Sequence, residues 1–222
     1  MQLEAITWQR MAERLAGHLE EGAGGGAGEG AGEGAWRRVG IDGAPAARTE
    51  VLAGELAEAL RLRGRPVLVV AAGGFLRPAS LRFEFGREDV DSYLGGWYDT
   101  AALWREVFGP TDPGGTGRVL PDLWDPATDR ATRSPYAELP PGGVLIVHGP
   151  LLLGHWFPFD LSVHISLSPA ALARRTEESA RWTLPAFARY EAETGPAALA
   201  DALVRADDPR HPAWTGLTGR TG

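Results

Sequence analysis

Two hydrophobic periods alternate along this chain. Trp8, Met11, Leu15, His18 and Leu19 recur at steps of three and four, so residues 7–21 read as an amphipathic helix with Thr7 as its N-cap. From Gly22 to Ala35 the period stops: the stretch is Gly, Ala and Glu with eight glycines, and has nothing to bury. It reads as a flexible linker that tethers the first helix, which then either docks on the main domain or engages a protein partner. Arg37–Asp42 reads as a short strand. Residues 50–63 read as a helix with Val51, Leu52, Leu56, Leu60 and Leu62 on one face and Gly64 as its stop. The run Pro66–Ala72 is continuously apolar, the pattern of a strand covered on both faces. Strand, helix and buried strand make a right-handed βαβ unit. A polar and aromatic section from Gly73 to Leu139 holds one helix, at 100–108. Two further buried strands follow at 143–148 and 160–167, then a helix from Ser168-Pro169 through Arg175 and a short strand at 202–206. The alternation predicts an α/β architecture with a mostly parallel sheet. The expected division is a helix (1–21), a linker (22–35), an α/β domain (36–210) and a tail (211–222).

Composition narrows the chemistry. At 222 residues the chain suits one main domain, and a net charge of −7 argues against a general nucleic-acid binder. No apolar run nears the ~20 residues of a membrane span, and the first residues lack the basic and apolar regions of a secretory signal, so the cytoplasm is the expected location. There is no Cys, which excludes thiol nucleophiles and thiolate-held metals. There is no Lys either: all 22 basic residues are Arg, which excludes a Schiff base or a lysine phosphate clamp. Asn is also missing, and the whole pattern reads as the codon bias of a GC-rich genome.

In an open parallel sheet ligands bind beyond the carboxyl ends of the strands. Four segments leave those ends. Gly40 to Thr49 sits where a phosphate loop belongs, with Gly43, Ala46, Ala47, Arg48 and Thr49 as phosphate-binding candidates; an ordinary strand-to-helix turn fits the same residues. A Walker A loop needs Gly-x-x-x-x-Gly-Lys-Ser/Thr, because glycines let backbone N–H groups wrap phosphates and the hydroxyl holds Mg²⁺. Counted from Gly43 this loop is one residue short, carries Arg48 in place of the Lys, and keeps Thr49 as a weak Mg²⁺ ligand. Arg77 follows the glycines Gly73 and Gly74, and His148 ends the third buried run, a group able to titrate near neutral pH. The acidic and aromatic cluster Asp89, Asp91, Tyr93, Trp97, Tyr98 and Asp99, followed by Trp124, Asp125, Asp129 and Arg130, suits stacking on a base and accepting from ribose hydroxyls; it equally suits loop capping. Arg174, Arg175 and Arg181 suit an anion-neutralising lid, or an exposed helix end paired with Glu177 and Glu178.

Taken in order, Gly40-Ile41-Asp42-Gly43, Phe75-Leu76-Arg77-Pro78, Asp91-Ser92-Tyr93 with Tyr98-Asp99, Trp124-Asp125 with Asp129-Arg130, Val144–Gly149 and Ala173-Arg174-Arg175 make residues 39–209 resemble the uridine kinase family of P-loop nucleoside kinases. The resemblance implies a three-layer α/β/α P-loop NTPase-like fold, an ATP·Mg²⁺ site at the first loop, and γ-phosphoryl transfer to a nucleoside 5′-hydroxyl. It places the phosphate loop at residues 43–49, nucleoside contacts at Tyr93, Tyr98, Asp99, Trp124, Asp125, Asp129 and Arg130, and the lid at Arg174, Arg175 and Arg181. It also puts the family's catalytic acid at Gly73 or Gly74, and an acid sometimes found after the third strand at His148. The departures fall on the chemistry, so phosphoryl transfer is expected to be weak or absent. If transfer persists, Arg48 replaces the Lys, and Asp42, Asp89 or Asp91 supplies the acid, with Arg77 and His148 as further catalytic candidates. The alternative is a non-catalytic nucleotide-binding or protein-interaction module.

Overall fold

The computed structural model describes residues 3–24 and 35–217; of the expected linker, residues 25–34 lie outside the described residues. A seven-stranded sheet forms from β1 (Glu4–Ala5), β2 (Arg37–Asp42), β3 (Val67–Ala71), β4 (Val144–Gly149), β5 (Leu161–Ser166), β6 (Ala202–Arg205) and β7 (Ala213–Trp214). Its order is β1-β7-β6-β5-β2-β4-β3. The five strands from β3 to β6 run parallel. β7 is antiparallel to β6, and β1 to β7. The register sets Asp42 beside both Gly149 and His164, so three strand ends meet at one point.

The pleat divides the core by period two. Val144 and Ile146 of β4 face one cluster with Val39, Ile41, Val163 and the helix α2 (Thr49–Leu62). Leu145 and Val147 face the other, with Phe75, Phe108 and Phe157. This is why the apolar runs are continuous rather than alternating.

The helix α1 (Trp8–Gly24) starts where the spacing predicts, with Arg10 N donating to Thr7 Oγ1 at 3.2 Å. It continues three residues into the expected linker. It is docked: Met11 and Leu15 are fully buried in the same cluster as Leu52, Leu56 and Leu60 of α2. The tail also takes part, since Ala213–Trp214 is the strand β7 and Trp214 is buried. Two expectations about helices are corrected. Leu62 is 81% exposed, because it lies about 200° around the helix from Leu60 and so off the buried face. The helix expected at 100–108 is α-helical only over Thr100–Leu103 and continues as a π turn, Trp104–Phe108. The remaining helices used below are α3 (Val90–Gly96), α4 (Pro169–Arg175) and α5 (Leu184–Glu193). Among the described residues no helix is long and apolar enough to cross a membrane.

Candidate functional site

The loop from β2 to α2 folds inward on itself. Gly43 N donates to Gly149 O at 3.2 Å, Ala47 N to Ala44 O at 2.7 Å and Arg48 N to Pro45 O at 3.1 Å. Pro45 has no N–H, and its ring starts the 3₁₀ turn Pro45–Ala47 that these bonds close. Four positions of the short loop therefore offer no amide to a ligand. Gly43 is required sterically, since a Cβ there would stand 2.8 Å from Ile165 O. Arg48 adopts φ 57°, ψ 56°, a left-handed conformation that costs a non-glycine residue roughly 1–2 kcal/mol. Its Nε meets Glu50 Oε1 at 3.1 Å on the surface.

Below the loop lies a buried chain of polar groups. Asp42 is fully buried; its Oδ1 accepts from Leu152 N at 2.8 Å and its Oδ2 lies 2.6 Å from His164 Nδ1. His164 Nε2 lies 3.0 Å from Glu191 Oε1 on α5. Burial alone would favour the neutral ring, but the two carboxyl partners outweigh it and raise the His164 pKa to about 9. Both ring nitrogens are then donors, one to each carboxyl group. Tyr190 completes the packing: its hydroxyl accepts from Leu153 N at 3.0 Å, and burial raises its pKa far above the usual phenol range. His164 and Glu191 also line a mainly apolar cleft of about 670 Å³ between β5, α4 and α5.

Above the loop the hydroxyl expected to hold Mg²⁺ has another partner. Thr49 Oγ1 lies 3.1 Å from His148 Nδ1. Burial lowers the His148 pKa, with Glu50 opposing, so the ring is neutral at pH 7. Among the described residues no group of three or more His, Asp or Glu side chains is arranged to hold a metal ion. The residues therefore do not fit an ATP·Mg²⁺ site of the usual kind: three loop amides are spent and Pro45 lacks a fourth, lysine is lacking, and the hydroxyl is bound to an imidazole.

A second cleft, of about 690 Å³, opens between the loop and the segment following α4. Pro45, Ala46 and Arg48 form one wall, Tyr93, Trp97 and Tyr98 another, and Arg175, Trp182 and Phe187 close it. The rings brace one another edge to face: Tyr93 lies 5.0 Å from Trp97, 5.4 Å from Trp182 and 5.7 Å from Phe187. Burial pushes the Tyr93 phenol up to about 12 and raises Tyr98 well above the usual phenol range, so neither serves as a base at neutral pH. Arg175 is half-buried, and its Nη1 donates to Ala206 O at 2.7 Å. Arg174 and Arg181 are exposed and do not line the cleft.

The structure brings Ala46, Arg48, Tyr93, Tyr98 and Arg175 together and leaves the other expected residues elsewhere. Asp89 and Asp99 cap helices, accepting from Ser92 N at 2.7 Å and Ala102 N at 2.9 Å. Asp91 forms a surface ion pair with Arg189. Trp124, Asp125 and Arg130 belong to a two-stranded hairpin, in which Asp125 accepts from Thr128 Oγ1 at 2.7 Å. Asp129 accepts from Ala79 N and Trp124 Nε1, and none of these hairpin residues lines the cleft. Arg77 is half-buried, and its carbonyl accepts from Arg82 Nε at 2.7 Å. The sequence reading missed Trp182 and Phe187 in this cleft, while Trp97 belongs to the acid–aromatic cluster it named. It also missed His164, whose only signal was a polar residue inside an apolar strand, and Asp122. A Cβ on Gly74 would stand 2.7 Å from Asp122 Cβ, so this aspartate packs against one of the two positions where the resemblance expects an acid. Asp122 Oδ1 accepts from Ser134 Oγ at 2.7 Å.

No protein-family model and no curated protein sequence matches the chain. Solved structures do. A possible uridine kinase from Bacillus stearothermophilus superposes with a TM-score of 0.66 at 18% identity, covering 87% of this chain and 98% of that one. A protein assigned as a fructose transport system kinase from Silicibacter sp. TM1040 gives 0.58 at 23% identity over 86% and 89%. D-glycerate 3-kinase from Cryptococcus neoformans gives 0.51 at 16% identity over 85% and 80%. Identities this low speak for architecture alone: a mostly parallel sheet with helices on both faces, the fold of the P-loop kinases.

Proposed function

We propose that this chain is a uridine kinase-like protein that keeps a nucleoside- or nucleotide-binding cleft and has lost phosphoryl transfer. The observation that carries the reading is the inward loop: three amides bond to carbonyls within the protein, and a proline removes a fourth. Phosphoryl transfer depends almost wholly on positioning and on neutralising charge around the β- and γ-phosphates. Losing a general base alone typically costs about 10²–10⁴ in rate, and here the loop donors and the lysine go with it. The cleft survives because its walls are aromatic side chains with their own packing, independent of the loop amides. Calorimetric titration with ATP·Mg²⁺, with and without uridine, tests this. The expected result is no saturable ATP binding up to millimolar concentration and no ADP release in a coupled assay. Turnover that rises with enzyme concentration overturns it.

One observation favours a second reading, in which residual transfer uses a relocated acid: Asp122 sits against Gly74. On that reading Asp122→Asn abolishes an ADP release that the unmodified chain performs. Absence of turnover in the unmodified chain removes it.

A further inference from the structure

The cleft beside the loop has the equipment of an anion site that works without a metal. Arg48 and Arg175 both line it, one from the loop and one from the end of α4. The acidic side chain on its wall is Glu177, which is exposed. Arg175 commits Nη1 to Ala206 O, which fixes the guanidinium and leaves its remaining donors uncommitted to that bond. Burial lowers the Arg175 pKa, and the neighbouring charges of Arg48 and Arg174 lower it further against the opposing carboxylates of Asp207 and Asp208. Tyr93, Trp97 and Trp182 line the same space.

We propose that this cleft binds a flat-ring phosphomonoester, of the nucleoside monophosphate class, with Arg48 and Arg175 holding the phosphate and no metal ion involved. The proposal rests on the cleft reading above and deepens it by naming the ligand class. Guanidiniums grip tetrahedral oxyanions in bidentate fashion. A phosphomonoester carries about −1.5 to −2 charges at pH 7, which matches a cluster of arginines better than a carboxylate or a neutral nucleoside does. A Mg²⁺-bound triphosphate fits poorly. Among the described residues the metal has no carboxylate cluster to hold it, its charge repeats that of the arginines, and Gly43, Pro45, Ala47 and Arg48 offer no amide to wrap the phosphate chain. A volume of about 690 Å³ accommodates a mononucleotide, within the range of about 300–1,000 Å³ usual for ligand pockets.

The test is calorimetry of the full chain with UMP, uridine and inorganic phosphate, each with EDTA and with excess Mg²⁺. UMP is expected to bind at least tenfold more tightly than uridine, with a Kd that changes less than twofold between EDTA and Mg²⁺. Arg48→Gln and Arg175→Gln are each expected to weaken UMP at least tenfold and uridine less than twofold. Arg48→Gln guards against a folding artefact, because its side chain is exposed and forms a surface ion pair with Glu50. Uridine binding with UMP no tighter, or UMP binding that needs Mg²⁺, overturns this proposal and leaves the cleft reading standing. Binding of neither overturns both, and ATP turnover overturns the loss of transfer alone.

Discussion

Asp42 stands directly before the loop, yet its two oxygens face Leu152 N and His164 rather than solvent. Removing one partner of a buried carboxyl–imidazolium pair is strongly destabilising, because it leaves an uncompensated buried charge. This gives stability a defined pH dependence. His164 has a folded-state pKa of about 9 against 6.5 in the unfolded chain. The native state therefore binds the extra proton between those values, and the stabilisation is complete below pH 6.5 and lost as pH rises through about 9. The loss is on the order of 3 kcal/mol. Urea denaturation from pH 6 to pH 10 is expected to show this fall, and His164→Gln to flatten it. An equal slope in the variant assigns the fall to other groups. The two adjacent glycines after β3 make a second contrast. Gly74 has Asp122 Cβ 2.7 Å and Asp122 Cα 3.3 Å from its would-be Cβ, while Gly73 has open space. Gly74→Ala is expected to cost about 1–3 kcal/mol, as overpacking does, and Gly73→Ala less than 1 kcal/mol in either direction. Comparable urea midpoints for the two variants contradict this account.

Elements with a strong period were readable before any coordinates. β2 has the bounds that the sequence suggests, α2 begins one residue early, and the apolar strands differ by a residue or two at their ends. A side chain's destination was harder to read. Asp89, Asp99, Asp125 and Asp129 have the composition of a nucleoside site but bond to nearby amides or side chains, because short loops must satisfy their own backbone. Trp182 joins the cleft only because the 3₁₀ turn between α4 and α5 packs on Tyr93, a long-range contact without a local signal. The first helix is the clearest case of an ambiguity that packing resolves. Its spacing suits docking or a foreign partner equally, and the structure spends its apolar face on α2. Leu15→Ala is therefore expected to lower stability by about 2–5 kcal/mol. A change below 0.5 kcal/mol in urea denaturation means the helix stands off the domain in solution.

At the scale of the whole molecule the two ends of the described chain close one sheet edge together. β7 lies between β6 and β1, so the strand nearest the C-terminus carries the one nearest the N-terminus. Ile6 N donates to Pro212 O at 3.0 Å and Trp8 Nε1 to Pro209 O at 2.8 Å, which fastens the start of α1 to the same segment. Trp214, 2% exposed, packs in the cluster that holds Met11, Leu15 and α2, and the Arg14 guanidinium lies 5.6 Å from its ring. Removing residues 211–222 thus deletes more than a terminal strand: it unpairs β1, opens the space left by Trp214 and frees the start of α1. Trp214→Ala alone is expected to cost about 3–5 kcal/mol, the usual penalty for a buried tryptophan. Truncation is expected to cost at least as much, with hydrogen exchange rising in α1 as well as in β6. The cleft is built from α3, the loop and the segment after α4, and no residue of α1, β1 or β7 lines it. Single-site losses such as Trp214→Ala are therefore expected to leave UMP affinity within about twofold at temperatures where the variant stays folded, since distant sites act nearly independently. A parallel loss of affinity in the folded variant couples the two ends of the sheet and replaces the picture of an edge that only holds the fold.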